Sequence, residues 1–256
     1  MAALEIELVP CLRDNYAYLV RDAAEGVCAI VDPSEAGPVR AALASRGGRL
    51  THILNTHHHP DHTGGNAELK EAFGATVVGP GKDHARIPAL DVGVEEGSAF
   101  SLGSHSARIL EIPAHTRAHI AFAFDADKAV FTGDTLFAMG CGRLFEGTPE
   151  MMWRSLTKLT ELDDSMRVYC GHEYTLNNGR FALTLESGNS DLVARMREVE
   201  NLRAAGAATI PSTIGLEKRT NPFLRPHSAE IRRTLNMSDA SDVEVFAEMR
   251  ARKDVF

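Results

Sequence analysis

The chain has 256 residues, 44% of them hydrophobic and 24% charged, and carries a formal net charge of −8. Such a length suits one large domain, or a domain with a smaller companion, and is ample for a real core. The acidic balance argues against general nucleic-acid or membrane-surface binding, and no apolar run reaches the roughly 18 residues that would suggest a membrane span.

The N-terminus carries Glu5 and Glu7 and lacks a basic stretch ahead of an apolar one, so no secretory leader is expected. Cys11, Cys28, Cys141 and Cys170 lie far apart with no C-x-x-C pair. They read as reduced, buried thiols of a cytoplasmic protein.

The first strands are predicted in "EIELVPC", "AYLVRD" and "VCAIVDP", rich in apolar and β-branched residues and stopped by turn formers. "PVRAALASRGG" predicts a helix that opens with Pro38 and stops at Gly47 and Gly48. "LTHILNT" is strand-like again, and "TGGNAELKEAFGA" starts another helix. Between them stands "HHHPDH", His57 to His62.

Three later apolar runs deliver the same chemistry: "ARILEIPAH" ends at His115, "KAVFTGDTLF" carries Asp134, and "MRVYCGHEY" reaches His172. Four strands thus each bring a histidine or aspartate to their C-terminal ends, where layered α/β proteins commonly collect ligands. After about residue 174 the pattern turns helical. "SDLVARMREVENLRAAG" spaces Leu192, Val193, Met196, Val199 and Leu202 along one face, and "HSAEIRRTLNM" and "SDVEVFAEMRARKDVF" follow. "TIPSTIGLEKRTNPFLRP" reads as a Pro-containing loop between helices.

In an extended segment alternate side chains share a side, so His57 and His59 face one way and His58 the other. Pro60 then re-aims the chain before Asp61 and His62. The cluster can serve two metals, His57 and His59 for one and Asp61 and His62 for the other, with His115, Asp134 and His172 as further candidates. Five histidines and two aspartates without thiolate suit zinc, iron or manganese and do not choose among them. Paired ions can lower the pKa of a shared water to about 7 and polarise a carbonyl, which points to hydrolysis.

Plainer roles are expected elsewhere. His52, His84, His105 and His227 read as ordinary surface or core histidines. His58 is expected not to ligate, and His119 divides between supporting a ligand and simple packing. Cys141 in "GCGR" reads as part of a turn, and Asp32 in "VDPSE" either orients a ligand or forms a turn.

With "DNYAYLV", "THHHPDHTGGN", "GDTLFAMGCGRLFEGT", "YCGHEYT", "NPFLR" and "ARKDVF" in view, the chain resembles the metallo-β-lactamase superfamily and, within it, the glyoxalase II (hydroxyacylglutathione hydrolase) family. The resemblance implies an αββα sandwich over residues 1–173 followed by a helical domain, 174–256, that completes a glutathione site. It implies one ion held by His57, His59 and His115, another by Asp61, His62 and His172, and Asp134 bridging. It also implies hydrolysis of S-D-lactoylglutathione by a metal-bound hydroxide that Asp61 and Asp134 help to hold, with no protein nucleophile. Zinc is the first choice of metal. Substrate contacts would come from Arg143, Phe145, Tyr174, Arg250 and Lys253. The last two stand at i and i+3 on one helix face and carry groups suited to carboxylates.

The family usually has glycine where this chain has Ala118, which would strain the backbone if positive φ is required there. A thioester suits this site because its leaving thiol, with a pKa near 8.5, needs little acid assistance. The expected partner is a small glutathione thioester, with no nucleic acid or membrane, and the protein is expected to be a monomer. The rivals are a glutathione persulfide dioxygenase, a lactonase or β-lactamase of the same fold, and a non-catalytic metal-binding protein.

Overall fold

The computed structural model describes residues 3–45 and 48–256. The chain divides into two compact units, Met1–Glu111 with Ala118–Gly133, and Ile112–Arg117 with Asp134–Phe256.

In the first unit, β1 (Glu5–Cys11), β2 (Asn15–Asp22) and β3 (Val27–Val31) run antiparallel, joined by short turns. β4 (His52–Leu54), β5 (Thr76–Pro80) and β6 (Val92–Val94) then continue the same sheet in parallel. Parallel neighbours require crossovers. α1 (Ala36–Ala44) supplies one, and the one-turn α2 (Pro60–Thr63) with α3 (Asn66–Phe73) supplies the next. Val39, Leu43 and Leu69 on the helices pack with Val9, Leu19, Ile30, Ile53 and Val77 of the sheet. Of the predicted stop of α1, Gly47 lies outside the described residues.

The second sheet of this unit is antiparallel, in the order β10-β9-β8-β7, from β7 (Ala99–Leu102), β8 (His105–Glu111), β9 (Ile120–Phe124) and β10 (Ala129–Gly133). Every residue of β9 and β10 is buried. Rings join the two sheets, with Tyr18 5.7 Å from Phe131 and His52 5.6 Å from Phe100.

The second unit begins its regular structure with a small hairpin, β11 (Leu136–Phe137) and β12 (Gly140–Cys141), followed by α4 (Pro149–Thr160). Pro149 at the first helical position and the Thr148 hydroxyl accepting the Met151 N–H explain why α4 starts there. β13 (Arg167–Cys170) pairs with β14 (Ser212–Thr213). The helices are α5 (Thr175–Leu185), α6 (Ser190–Ala204), α7 (Ile214–Thr220), α8 (Ala229–Leu235) and α9 (Asp242–Asp254). α9 opens with a reciprocal cap between Ser241 and Glu244.

One expectation is overturned. The segment 209–226 is not simply a loop, because β14, α7 and a short 3-10 turn at Pro222–Leu224 occupy most of it. Thr213 caps α7 by accepting the Leu216 N–H, and Ile214, Glu217 and Thr220 are buried along it. A seven-residue helix with Glu217, Lys218 and Arg219 in succession, flanked by Pro211 and Pro222, is too short to show helical periodicity. All four cysteines are buried thiols outside any disulfide. No helix among the described residues is long and apolar enough to cross a membrane.

Candidate metal centre

Four of the seven candidate ligands belong to the first unit. β4 ends at Leu54, and the chain stays in register for one more residue as the Asn55 N–H donates to the Val78 carbonyl at 2.8 Å. His57 follows, fully buried, with Nε2 3.1 Å from His59 Nδ1. His58 turns elsewhere: its Nδ1 lies 3.2 Å from Asp83 Oδ2, and Arg86 donates to its Nε2 at 3.1 Å. Pro60 then starts the helical turn α2, which places Asp61 and His62 in succession.

Each of these side chains is held from behind. Asn15 Nδ2 donates to both the carbonyl and the Oδ2 of Asp61, each at 3.0 Å. His62 Nδ1 lies 3.2 Å from Asp32 Oδ2, while its Nε2 lies 3.5 Å from Asp61 Oδ2. Asp32 could itself pass for a ligand, since it, His57 and His62 bring ligand atoms within 4.8 Å of one another. Both its oxygens, however, already take bonds from Thr56. It also sits at φ +48°, a backbone state few non-glycine residues adopt without purpose.

His119 is fully buried and stacks on His57, with ring centroids 4.6 Å apart and planes 19° from parallel. Ala118 is not among the described residues with positive φ, so alanine causes no strain there.

The second unit holds the other three. His115 Nδ1 lies 3.0 Å from the Arg143 carbonyl and donates to it, which turns Nε2 inward to 3.4 Å from Asp134 Oδ2. His172 Nε2 lies 3.2 Å from that same oxygen. Gly142 is required beside them, because a Cβ there would run into the Asp134 carbonyl. In each unit taken by itself, imidazole nitrogens and carboxylates without thiolate are the donor types that suit zinc, iron or manganese.

The candidate substrate residues lie in this second unit as well. Phe145 is 61% exposed and sets its ring 5.2 Å from that of His115. Tyr174 stacks on His172. Arg143 Nε is 3.6 Å from Asp254 Oδ1. Arg250 points inward instead of standing on an open basic face: it is buried, donates to the Cys141 carbonyl at 2.8 Å, and lies 3.1 Å from Asp254 Oδ1. Lys253 is half-buried over Phe181 and Phe256, and burial, with Arg250 and Arg143 nearby, pushes its pKa down to about 8. Burial likewise pushes the Cys141 thiol up to about 11, which suits a packed thiol and not a thiolate ligand.

Sequence reasoning missed Asn15, Thr56, Asn178, Glu217 and Asn221 as supports. Asn15 and Asn221 lie in "DNYAYLV" and "NPFLR", stretches singled out for their resemblance but given no role.

The model of the metallo-beta-lactamase superfamily matches residues 12–172, and that of the hydroxyacylglutathione hydrolase C-terminus matches residues 173–256. A hydroxyacylglutathione hydrolase of Methylococcus capsulatus is 57% identical over 253 residues, 99% of each chain. Among solved structures, ETHE1 from Myxococcus xanthus is similar with a TM-score of 0.69 and 26% identity, covering 98% of this chain and 90% of that one. TTHA1623 in a di-iron-bound form has a TM-score of 0.60 and 28% identity, covering 84% and 98%. On the metallo-β-lactamase fold these histidine and aspartate clusters support the binding of divalent metal. From its second strand to its last helix, the chain belongs to the hydroxyacylglutathione hydrolase family of the metallo-β-lactamase superfamily.

Proposed function

We propose that this protein hydrolyses S-D-lactoylglutathione to D-lactate and glutathione, the second step of methylglyoxal detoxification. The observation that carries the reading is the coupling of ligand and recognition groups within the second unit. His115 is tied to Arg143 and Phe145, and His172 to Tyr174. The full-length likeness to a named hydroxyacylglutathione hydrolase supports it.

Two divalent ions are proposed, zinc first, with His57, His59 and His115 for one, Asp61, His62 and His172 for the other, and Asp134 shared. Ions bound in this way supply an activated water and a Lewis acid for the thioester carbonyl. The chain's own residues do the rest. Asp134 Oδ2 lies within 3.4 Å of one nitrogen each of His115 and His172, and the Asp134 and Asp61 carboxylates would offset part of the charge of bound ions. The leaving group is a thiol with an ordinary pKa near 8.5, so it departs as thiolate without a protein acid.

In this reading Arg143 and Lys253 take the glutathione carboxylates, with Tyr174 and Phe145 packing against the peptide. Arg250 contributes from beneath by holding the Cys141 carbonyl. Functionally the chain divides at 173/174 into a metal-binding part and a helical part that completes the glutathione site. We propose a cytoplasmic monomer.

The test is loss of thioester ultraviolet absorbance with S-D-lactoylglutathione, before and after chelation and metal return. Metal-dependent turnover abolished by His59→Ala is the expected result. A protein that binds two ions and leaves the thioester intact sinks the proposal, and oxygen uptake with glutathione persulfide then tests the rival chemistry.

A further inference from the structure

Beneath the histidine cluster, Asp32 and Thr56 form a closed set of hydrogen bonds. The Thr56 N–H donates to Asp32 Oδ1 at 2.8 Å, and the Thr56 hydroxyl to Asp32 Oδ2 at 2.6 Å. Oδ2 also lies 3.2 Å from His62 Nδ1, and the Thr56 Oγ1 lies 3.0 Å from His57 Nδ1. Asp32, Thr56, His57 and His62 are all buried, none more than 2% exposed, so bulk water cannot substitute in any of these bonds.

The protons can be counted. A carboxylate only accepts, and a hydroxyl has a single proton to give. At 2.6 Å that proton goes to Asp32. Thr56 Oγ1 is then an acceptor toward His57, so the His57 proton sits on Nδ1 and the lone pair on Nε2. By the same reasoning Asp32 Oδ2 takes the proton of His62 Nδ1, which leaves the lone pair on His62 Nε2.

We infer that Thr56 is a positioning residue which, with Asp32, sets the ring tautomers of His57 and His62 together and so presents two Nε2 lone pairs for metal. The metal part of this inference rests on His57 and His62 being ligands, as proposed above. One carboxylate thereby aims a histidine of each proposed ion, directly in one case and through a hydroxyl in the other. The close fit has a second requirement. Gly133, at φ +48°, leaves room where a Cβ would run into Thr56 Oγ1 and stand 2.8 Å from His119 Nε2. A β-branched residue at 56 has few side-chain rotamers to choose from, which keeps the hydroxyl between Asp32 and His57.

The experiment uses the full chain with ¹⁵N-labelled histidine, and reads the His57 tautomer from long-range ¹H–¹⁵N spectra of the metal-free protein. Metal affinity is measured separately by competition with a chelator. The wild type is expected to carry the His57 proton on Nδ1. Thr56→Val keeps the shape and removes the hydroxyl. It should move that proton to Nε2 and weaken metal binding by about 10- to 100-fold, the usual effect of removing a partner behind a ligand. Thr56→Ser should restore both.

A Thr56→Val protein that keeps the Nδ1 proton and binds metal within about twofold of wild type overturns the inference, as does a Thr56→Ser protein that behaves like Thr56→Val. If Thr56→Val fails to fold, Thr56→Ser and the wild-type tautomer still decide: a wild-type proton on Nε2 is fatal. None of these readings involves the thioester, so failure of the hydrolase proposal is distinguishable from failure of this one.

Discussion

The imidazole of His172 lies flat against the ring of Tyr174, with centroids 4.6 Å apart and planes 3° from parallel. Phe137 meets both edge-on, at 6.0 Å and 5.4 Å. One turn of chain therefore couples a candidate metal ligand to a candidate substrate contact, and the two roles can be separated by substitution.

Tyr174→Phe keeps the stacked ring and removes the hydroxyl. His172 should stay in place, so metal content and kcat hold within about twofold, while KM rises about two- to tenfold for one lost hydrogen bond. Tyr174→Ala also removes the stack, worth about 0.5–1.5 kcal/mol, and should lower metal retention and kcat together. Steady-state kinetics with metal analysis read both. Equal metal loss in the two variants would show that the stack does not hold His172.

Lys253 gives a pH dependence. Its pKa is pushed down to about 8 by burial first, then by Arg250 and Arg143, while Asp254 stands beside both arginines. An ammonium with that pKa is about 90% charged at pH 7 and about 10% charged at pH 9. If the charge captures a glutathione carboxylate, KM should rise up to about tenfold over that range. Lys253→Met should start with a high KM and flatten the profile. For stability the sign is also fixed. Between pH 8 and the ordinary value of 10.5 the unfolded chain binds the proton and the folded chain does not, so this group's contribution rises with pH across that window. A wild-type KM that stays flat from pH 7 to 9 would remove Lys253 from the substrate contacts.

Much of this was legible in the sequence, for physical reasons. Val27–Val31 and Ala129–Gly133 are short apolar runs bounded by turn formers, and both are strands. The histidines and aspartates that follow such runs stand out because few structural roles need so many imidazoles together. What stayed hidden depends on long-range partners. Nothing near Thr56 announces that Asp32, 24 residues earlier, takes its proton. Arg250 reads as one end of a basic face because helical spacing cannot show that Cys141, 109 residues away, offers its carbonyl. The prolines of the 209–226 segment suggest a loop, whereas the burial of Glu217 and Asn221 decides its structure.

Asn221 is the clearest case, and it carries a third prediction. Its Nδ2 donates to the carbonyls of Phe137 and Gly140, at 3.1 and 3.0 Å, and lies 3.0 Å from Glu217 Oε2. Glu217 accepts the Met139 N–H at 2.7 Å, and Asn178 donates to the Ala138 carbonyl at 3.2 Å. Buried side chains thus clamp the whole turn between β11 and β12, including Met139 at φ +53°. Asn221→Ala withdraws a buried donor from two carbonyls, which should cost about 1–3 kcal/mol in urea unfolding. KM should rise more than kcat falls, because Arg143 follows this hairpin. Asn221→Asp should be worse, since burial already raises the Glu217 pKa and a second carboxylate beside it is unfavourable. A loss below about 0.5 kcal/mol in Asn221→Ala, within the range of ordinary surface substitutions, would show that the clamp is dispensable.

His105, which the sequence reads as an ordinary surface or core histidine, is buried between two carboxylates. Its Nδ1 lies 2.9 Å from Asp127 Oδ2 and its Nε2 3.1 Å from Asp22 Oδ2. The other oxygens of the pair accept the N–H groups of Leu4, at 2.9 Å, and Ala24, at 2.8 Å. Three strand ends of the first unit are stapled together in this way. Burial pulls the imidazole pKa down, but the bonds to Asp22 and Asp127 outweigh it and hold the pKa above its ordinary 6.5. A raised histidine pKa stabilises the fold fully below the unfolded value, and that stabilisation is lost as pH rises through the folded one. Asp22 acts at the other end: the His105 bond lowers its pKa, so its contribution is present above 3.8 and lost as pH falls below that value. For the metal-free protein, the part of the urea midpoint due to His105 should therefore decline from pH 6 to pH 9. His105→Gln should lower the midpoint more at pH 6 than at pH 9. Equal losses at the two pH values would mean that a neutral imidazole bridges the aspartates and that its charge does not hold the strands.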